Sequence, residues 1–475
     1  MQEHTVTADR LPAVQSGEVD AVVVGAGLAG LLAARRLHQA GMNVVVCEAK
    51  DRVGGRMLTM TSTTGVPVDA GAAWVGPGQK AVLALLEELG IGLIPQYDDG
   101  ANLLHVDGRT YRYQGSIPPV GPIGLLDLGR AQYALDRMAH RLGPPPWHGA
   151  YARRLDAQTL GGWMRRHVHT HAGRMVFEAV TASGFGCRPD ALSLLAFSAH
   201  VGGAGGLSSL LEVSGALKYR IAGGADSLTT RLAADLGGRV LTGHPITHIS
   251  RTDRTACVNG PGSTSITARH VLIATDPATA RAIAHDPPLP TARADLQRRW
   301  QMGHGSKTHL IYSRPWWRDR GLTGAAITEC GLARMTFDVS PPDPDAPGVL
   351  LAFVDLSNVD DPNLLRPGAA PERERQVLDD LEALFGEQVR DRLDYLEHDW
   401  AAEPWQSGCV PAPPPGLLAS HHPWLARPIG PLHWAGAETS YLWEGHMDGA
   451  VRSANRAVTE ILTVASSERL KGSTR

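Results

Sequence analysis

The feature that most constrains this chain is Gly25-x-Gly27-x-x-Gly30, set between the β-branched run Asp20-Ala-Val-Val-Val and an apolar pattern that starts at Leu28. The run, stopped by Gly25, reads as a buried parallel strand. Apolar residues at 28, 31, 32 and 37, closed by Gly41, predict a helix over 28–40. Val44-Val-Val-Cys-Glu48 reads as a second strand, giving a unit of about 30 residues, the length of a right-handed β-α-β crossover. Gly25 allows the tight turn. Gly27, beside Ala26, admits a pyrophosphate to backbone N–H groups, and Gly30 lets helix and strand pack closely. The helix N-terminus adds positive dipole, and Glu48 is placed to accept hydrogen bonds from both ribose hydroxyls. The glycine pattern alone is weak evidence, but strand, helix and acidic residue together point to a dinucleotide site.

With 475 residues the chain has room for two or three domains. Lys+Arg 45 against Asp+Glu 48 leaves a net charge of −3, so no general field attracts nucleic acid or an anionic membrane. The cations are almost all arginine, with only five lysines, the bias of a GC-rich bacterial genome. Five widely spaced cysteines without a CxxC pair argue against a disulfide framework and a zinc site, and fit a reducing cytoplasm. MQEHTVTADR lacks the pattern of a signal peptide, and no apolar run is long enough to span a bilayer. His167-Val-His169-Thr-His171 looks like a metal tract, but no neighbouring carboxylate or cysteine completes it. A solvated helix face or turn is expected there, and no metal.

Further along, helices are predicted over 81–89 and 228–236, with a long polar-faced helix over 378–396. Strands are predicted over 239–249 and 271–274, and proline-rich loops at 118–122, 144–146, 286–290, 341–347 and 411–415. Nucleotide-domain signals occur near 20–80, 221–275 and 431–460, so the chain is expected to leave that domain and return to it twice.

The residues after Glu48 select the dinucleotide. Ala49-Lys50-Asp51-Arg52-Val53-Gly54-Gly55-Arg56, followed by Val68-Asp-Ala-Gly-Ala72-Ala73-Trp74-Val-Gly76, resembles the flavin-containing amine oxidase superfamily. Trp434-Ala-Gly-Ala-Glu438-Thr-Ser-Tyr-Leu-Trp443-Glu-Gly-His446-Met447, leading into a helical pattern to 462, resembles the closing motif of the monoamine oxidase family. Val75-Gly-Pro-Gly-Gln79, Ile221-Ala-Gly-Gly224, His244-Pro-Ile246-Thr-His-Ile249 and Met302-Gly-His-Gly-Ser-Lys307 continue the likeness in the family's order, so it covers roughly 20–462.

The resemblance implies an α/β (two-domain α+β) fold: a Rossmann-like FAD-binding domain interwoven with a substrate domain of mixed sheet plus helices. The expected division is 15–85, 215–300 and 395–465 for the FAD-binding domain and 86–214 and 301–394 for the substrate domain, with flexible tails at 1–14 and 466–475. FAD is the implied cofactor. Gly55 and Arg56 would contact its pyrophosphate, Ala49 and Lys50 would follow the ribose-binding Glu48, and Ile246 would hold the adenine by its backbone. The backbone at Ala72, Ala73 and Trp74 would pass the flavin ring, with Glu438 and Met447 in the closing loop. A helix N-terminus aimed at the ring can stabilise its anionic reduced form.

Lys307 stands in a strand-like apolar context, where desolvating an ammonium costs several kcal/mol and calls for a purpose. By resemblance it is the lysine that reaches flavin N5 through water. Trp400 and Cys409 share the spacing that, in mammalian monoamine oxidases, puts tryptophan beside the flavin and cysteine in thioether linkage to it. The 410–416 segment departs from those enzymes, so a covalent link at Cys409 stays open and is not the favoured reading. The family's two cage tyrosines are replaced by Val410 and His446, which cannot reproduce an aromatic field and argue against simple arylalkylamines. Leu217 and Met335 fall where relatives shape the substrate cavity. The expectation is a FAD-dependent amine oxidase acting on a small-molecule amine with O2 as acceptor, with no nucleic acid or membrane partner and a homodimer left open. The alternatives are a desaturase or carbon-centred oxidase of the same superfamily, and a non-catalytic flavoprotein module.

Overall fold

The computed structural model describes residues 18–473 apart from 117, 263, 330, 358, 360 and 367, with side chains described as far as position 467. The expected tail over 1–14 and Cys330 lie outside the described residues. Val19–Val24 pairs in parallel with Val44–Cys47 on one side and with Ser265–Ile273 on the other. Covered on both faces, it reads in sequence as a continuous valine run. An eight-stranded sheet grows around it in the order Val240–Leu241, Val44–Cys47, Val19–Val24, Ser265–Ile273, Ala256–Asn259, His248–Arg251, Ala284–Asp286, with Leu432–Trp434 joining Ser265–Ile273 in parallel. Three stretches far apart in sequence thus build one sheet.

Leu28–Gln39 packs on this sheet and against the C-terminal helix Met447–Ser473, which runs past the boundary expected at 465. Leu31, Leu32, Ala454, Ala457 and Ile461 share one apolar core between them. A seven-stranded sheet stands apart, in the order Asp394–Asp399, Gly305–Tyr312, Gly348–Asp355, Ala333–Asp338, Leu322–Thr328, Ala101–Val106, Arg109–Tyr113. Helices from Gly121–Leu142 to Leu207–Leu211 form a layer with a separate core around Leu135, Trp163, Phe177 and Phe197. Among the described residues no helix is long and apolar enough to cross a membrane.

Three sequence expectations change. The helix expected over 378–396 is Ala370–Phe385, stopped at Gly386 with φ of +87°, and the chain then forms the edge strand Asp394–Asp399. Ladder bonding to Gly305–Tyr312 overrides helical periodicity there. The strand expected over 239–249 splits into Val240–Leu241 and His248–Arg251 around Pro245, which has no N–H for a ladder. The loop at 118–122 ends early, because Pro122 sits in the first turn of Gly121–Leu142, where a missing N–H costs nothing.

The glycines of the opening turn differ in what limits them. A Cβ on Gly30 would lie 2.0 Å from the Gly25 carbonyl oxygen, whereas one on Gly27 would meet no atom within 4 Å. Gly30→Ala is therefore expected to cost about 3 kcal/mol by overpacking. Gly27→Ala should stay within about 0.5 kcal/mol of the parent in denaturant unfolding of cofactor-free protein. Equal stabilities would contradict the packing account.

Candidate active site

The nucleotide end is built on the start of Leu28–Gln39, which has no side-chain cap. Its N–H groups are free for an anion. The Ala26 N–H donates to Glu48 Oε2 at 2.6 Å and the Lys50 N–H to Glu48 Oε1 at 3.0 Å, fixing the carboxylate beside this start. A cavity of about 130 Å³ opens here, lined by Gly27, Glu48, Gly55, Arg56, Thr275 and Met447 among others. Arg56 crosses its floor: Nη2 lies 2.6 Å from Glu438 Oε1, and Nη1 donates to the Cys409 carbonyl at 2.9 Å. Lys50 lines the cavity but sends its ammonium to Glu403, which also holds Arg52 at 2.9 Å and lies 2.9 Å from His398 Nε2 without a hydrogen bond to it. Sequence reasoning missed Glu403; a lone glutamate in 401–405 carries no signal of this role.

Some expected residues are not at the cavity wall. Gly30 packs on the Gly25 carbonyl, Ile246 is buried in the sheet core with Leu241 and Val258, and Ala26, Ala49 and Glu438 stand behind the lining. Ala26 and Glu438 act on wall residues, through Glu48 and Arg56 respectively.

A second cavity of about 290 Å³ adjoins the first at Arg56, Ala72, Gly445, His446 and Met447, which line both. Lys307 projects into it from Gly305–Tyr312 and donates to the Gly71 carbonyl, with its ammonium 4.8 Å from the Trp74 ring centre and 5.4 Å from that of Phe353. Burial pushes the Lys307 ammonium down to about 8, against the opposing pull of Cys409 and Asp69. Trp400 is buried, and its Nε1 donates to the Ala70 carbonyl at 3.0 Å. Ala73, Trp74, Leu217, Met335, Cys409 and Val410 all line this cavity. Burial pushes the Cys409 thiol up, partly offset by Lys307 and Arg56.

His446 Nδ1 lies 2.9 Å from the Glu444 carbonyl oxygen. A carbonyl only accepts, so Nδ1 carries the hydrogen and Nε2 is left as an acceptor. The ring sits 5.2 Å from Trp443 and 5.2 Å from His200, which lines the same cavity. Burial, with His446 adding, pushes His200 down to about 3, so it stays neutral. His200 was not legible in sequence, because one histidine in the apolar helix Leu194–Gly203 looks like any core residue. Apart from the Ser183 and Ser306 hydroxyls the rest of the wall is apolar, including Val180, Phe185, Phe197, Leu210 and Phe337, and among the described residues no carboxylate lines it.

The histidine tract does not converge. His167 stacks on Trp163 at 4.9 Å and His169 meets Arg130 at 3.0 Å. No carboxylate neighbours the tract in sequence, but the fold brings Glu329 to 2.7 Å and Asp107 to 3.8 Å from His171 Nε2, as a cluster in which only Glu329 is partly shielded.

The family of flavin-containing amine oxidoreductases matches over residues 28–462. A Mycobacterium tuberculosis protein named as a flavin-containing monoamine oxidase, AofH, is 41% identical over 448 residues, covering 93% of this chain and 96% of that one. Among solved structures, cyclohexylamine oxidase from Brevibacterium oxydans superposes with a TM-score of 0.89 at 31% identity, covering 95% of this chain and 100% of that one. A putrescine oxidase bound to putrescine superposes with a TM-score of 0.89 at 29% identity, covering 94% and 99%. The chain belongs to the flavin-containing amine oxidoreductase family, and its chemistry is FAD-dependent amine oxidation.

Proposed function

We propose that this chain oxidises an apolar aliphatic or alicyclic monoamine, in the net reaction of amine, O2 and water to carbonyl product, ammonia and hydrogen peroxide. The observation that carries the substrate class is the wall of the larger cavity, mostly apolar and without a carboxylate among the described residues. A diamine would bring a second ammonium into that wall with no counter-charge, a cost of several kcal/mol. An amino-acid carboxylate would need a free guanidinium, and Arg56 is engaged by Glu438 and the Cys409 carbonyl. The replacement of cage aromatics by Val410 and His446 favours an aliphatic over an arylalkyl body.

The residues of the smaller cavity fit FAD. Open space stands over Gly27, the helix start is uncapped, Glu48 is aimed beside it, and Arg56, held by Glu438, lines the wall. Bound FAD supplies two-electron acceptor chemistry that no side chain offers. Gly55, Ala72, Ala73, Trp74 and Met447 would form its further wall, with Trp400 fixing the backbone at Ala70. His446 Nε2 accepts a hydrogen bond from the substrate amine and so orients it. Lys307 holds a proton at Nζ that exchanges readily near neutral pH, since burial brings it to about 8. The apolar wall excludes water and keeps the amine neutral.

Four outcomes follow. Cyclohexylamine should give peroxide release with kcat/KM at least about tenfold above that for putrescine, a difference of about 1.4 kcal/mol; the reverse order would overturn the substrate class. Lys307→Met should keep FAD and lower turnover by at least about tenfold, and near-parent rates of both flavin reduction and reoxidation in stopped flow would remove Lys307 from the mechanism. Glu48→Ala should strip most of the flavin absorbance from purified protein. From the parent, acid precipitation should release FAD into the supernatant, because burial keeps Cys409 a thiol rather than the nucleophilic thiolate. Flavin that stays in the parent's pellet but leaves with Cys409→Ala would show a covalent link.

A further inference from the structure

The larger cavity holds one imidazole that the chemistry above leaves unused. His200 comes from the apolar helix Leu194–Gly203 and lines the cavity beside His446. Its ring packs edge-on to Phe185 at 4.9 Å and lies 5.2 Å from the His446 ring, tilted by 32°. His446 Nδ1 is engaged by the Glu444 carbonyl, whereas neither ring nitrogen of His200 has a hydrogen-bond partner among the described residues. The unpartnered ring nitrogens of His285 and Nε2 of His309 are sealed from any surface, but those of His200 are not. A polar ring in an apolar wall gives up its bonds to water, and the cost persists until a partner enters.

The other polar side chains of this wall are occupied or turned away. Lys307 donates to the Gly71 carbonyl, and Arg56 is held by Glu438 and the Cys409 carbonyl. The Ser183 and Ser306 oxygens are fully buried and offer the cavity almost no surface. Apart from the weakly bonding Cys409 thiol, His446 Nε2 and the His200 ring are therefore open to a ligand. Burial keeps His200 neutral, so it carries one N–H donor and one acceptor nitrogen. Whichever nitrogen faces the cavity, a hydroxyl can meet it, because a hydroxyl both donates and accepts. A carboxylate or second ammonium would find no opposite charge on this ring.

The spacing sets where on the substrate that hydroxyl lies. With the amine held at His446 Nε2, the second group must reach a ring whose centre is 5.2 Å from that of His446. On staggered carbons, an amine and a hydroxyl on adjacent or next-but-one carbons stand about 3–5 Å apart, a comparable span. We propose that His200 is a specificity-determining residue that hydrogen-bonds a hydroxyl one or two carbons beyond the amine-bearing carbon, so that the favoured substrate is an amino alcohol. The inference rests on the reading of this cavity as a monoamine site and narrows that class.

Peroxide release by the holoenzyme from cyclohexylamine and from 2-aminocyclohexanol tests it. kcat/KM is counted per neutral amine, because a neighbouring hydroxyl also weakens the amine as a base. The ratio of the two substrates is read within one protein, so losses of flavin or fold cancel. The parent should favour the amino alcohol by at least about tenfold, mainly through KM, since the bond is made in ground and transition states alike. In His200→Phe the ratio should fall to within about twofold of unity. A parent ratio near unity, or a preference that survives intact in His200→Phe, overturns the proposal. Should His200→Phe fail to fold, the parent alone decides: the preference should vanish with 4-aminocyclohexanol, and equal rates wherever the hydroxyl sits overturn it. Turnover of cyclohexylamine without gain from a hydroxyl defeats this proposal alone, whereas peroxide from neither amine defeats the functional reading with it.

Discussion

The site depends on how one segment, Ala70 to Ala72, is clamped between the two sheets. The Ala70 carbonyl accepts from Trp400 Nε1 at 3.0 Å, the Gly71 carbonyl accepts from Lys307, and the Ala72 N–H donates to the Arg56 carbonyl at 3.1 Å. The fit leaves no room for a side chain: a Cβ on Gly71 would lie 2.0 Å from the Arg56 oxygen and 2.9 Å from the Trp400 ring. Trp400 follows the edge strand of the seven-stranded sheet, Lys307 lies on the strand beside it, and Arg56 leads back to the nucleotide turn. Three polar bonds therefore hold the seam where the two cavities meet.

Around that seam burial pushes Lys307, His200 and Glu444 toward their neutral forms. Lys307 is brought to about 8 and His200 to about 3, both by burial first. Glu444 is pushed up to about 8, again by burial first, with Glu438 adding. At neutral pH Glu444 is therefore a protonated carboxyl and His200 a neutral imidazole. The charges that persist are Arg56, tied to Glu438, Lys50, tied to Glu403, and Lys307, which at about 8 is still mostly an ammonium at neutral pH and donates to the Gly71 carbonyl. A cavity bounded this way favours an uncharged amine, because a lone ion inside it has no solvent and no counter-ion.

Much of this was legible in sequence because the informative residues act locally. Gly25, Gly27, Gly30 and Glu48 form their turn within one β-α-β unit, and Lys307 stands out because an ammonium is rare in an apolar strand. What escaped reading depends on contacts between distant stretches. Glu403 acquires meaning only when Lys50, Arg52 and His398 converge on it, and His200 only when its helix carries it to His446. The helix expected over 378–396 failed for the same reason: its second half found a strand partner in Gly305–Tyr312 that periodicity does not reveal.

The central claim is that the larger cavity presents a neutral apolar monoamine to the cofactor site beside Lys307. Anaerobic mixing of the purified holoenzyme with an alicyclic monoamine tests it most directly, followed through the flavin absorbance. The account predicts full bleaching that steepens between pH 7 and 9 as the amine and Lys307 lose their protons, with recovery of the yellow colour on admitting air. Flavin that stays oxidised with every monoamine, yet bleaches with a diamine or an amino acid, would contradict it.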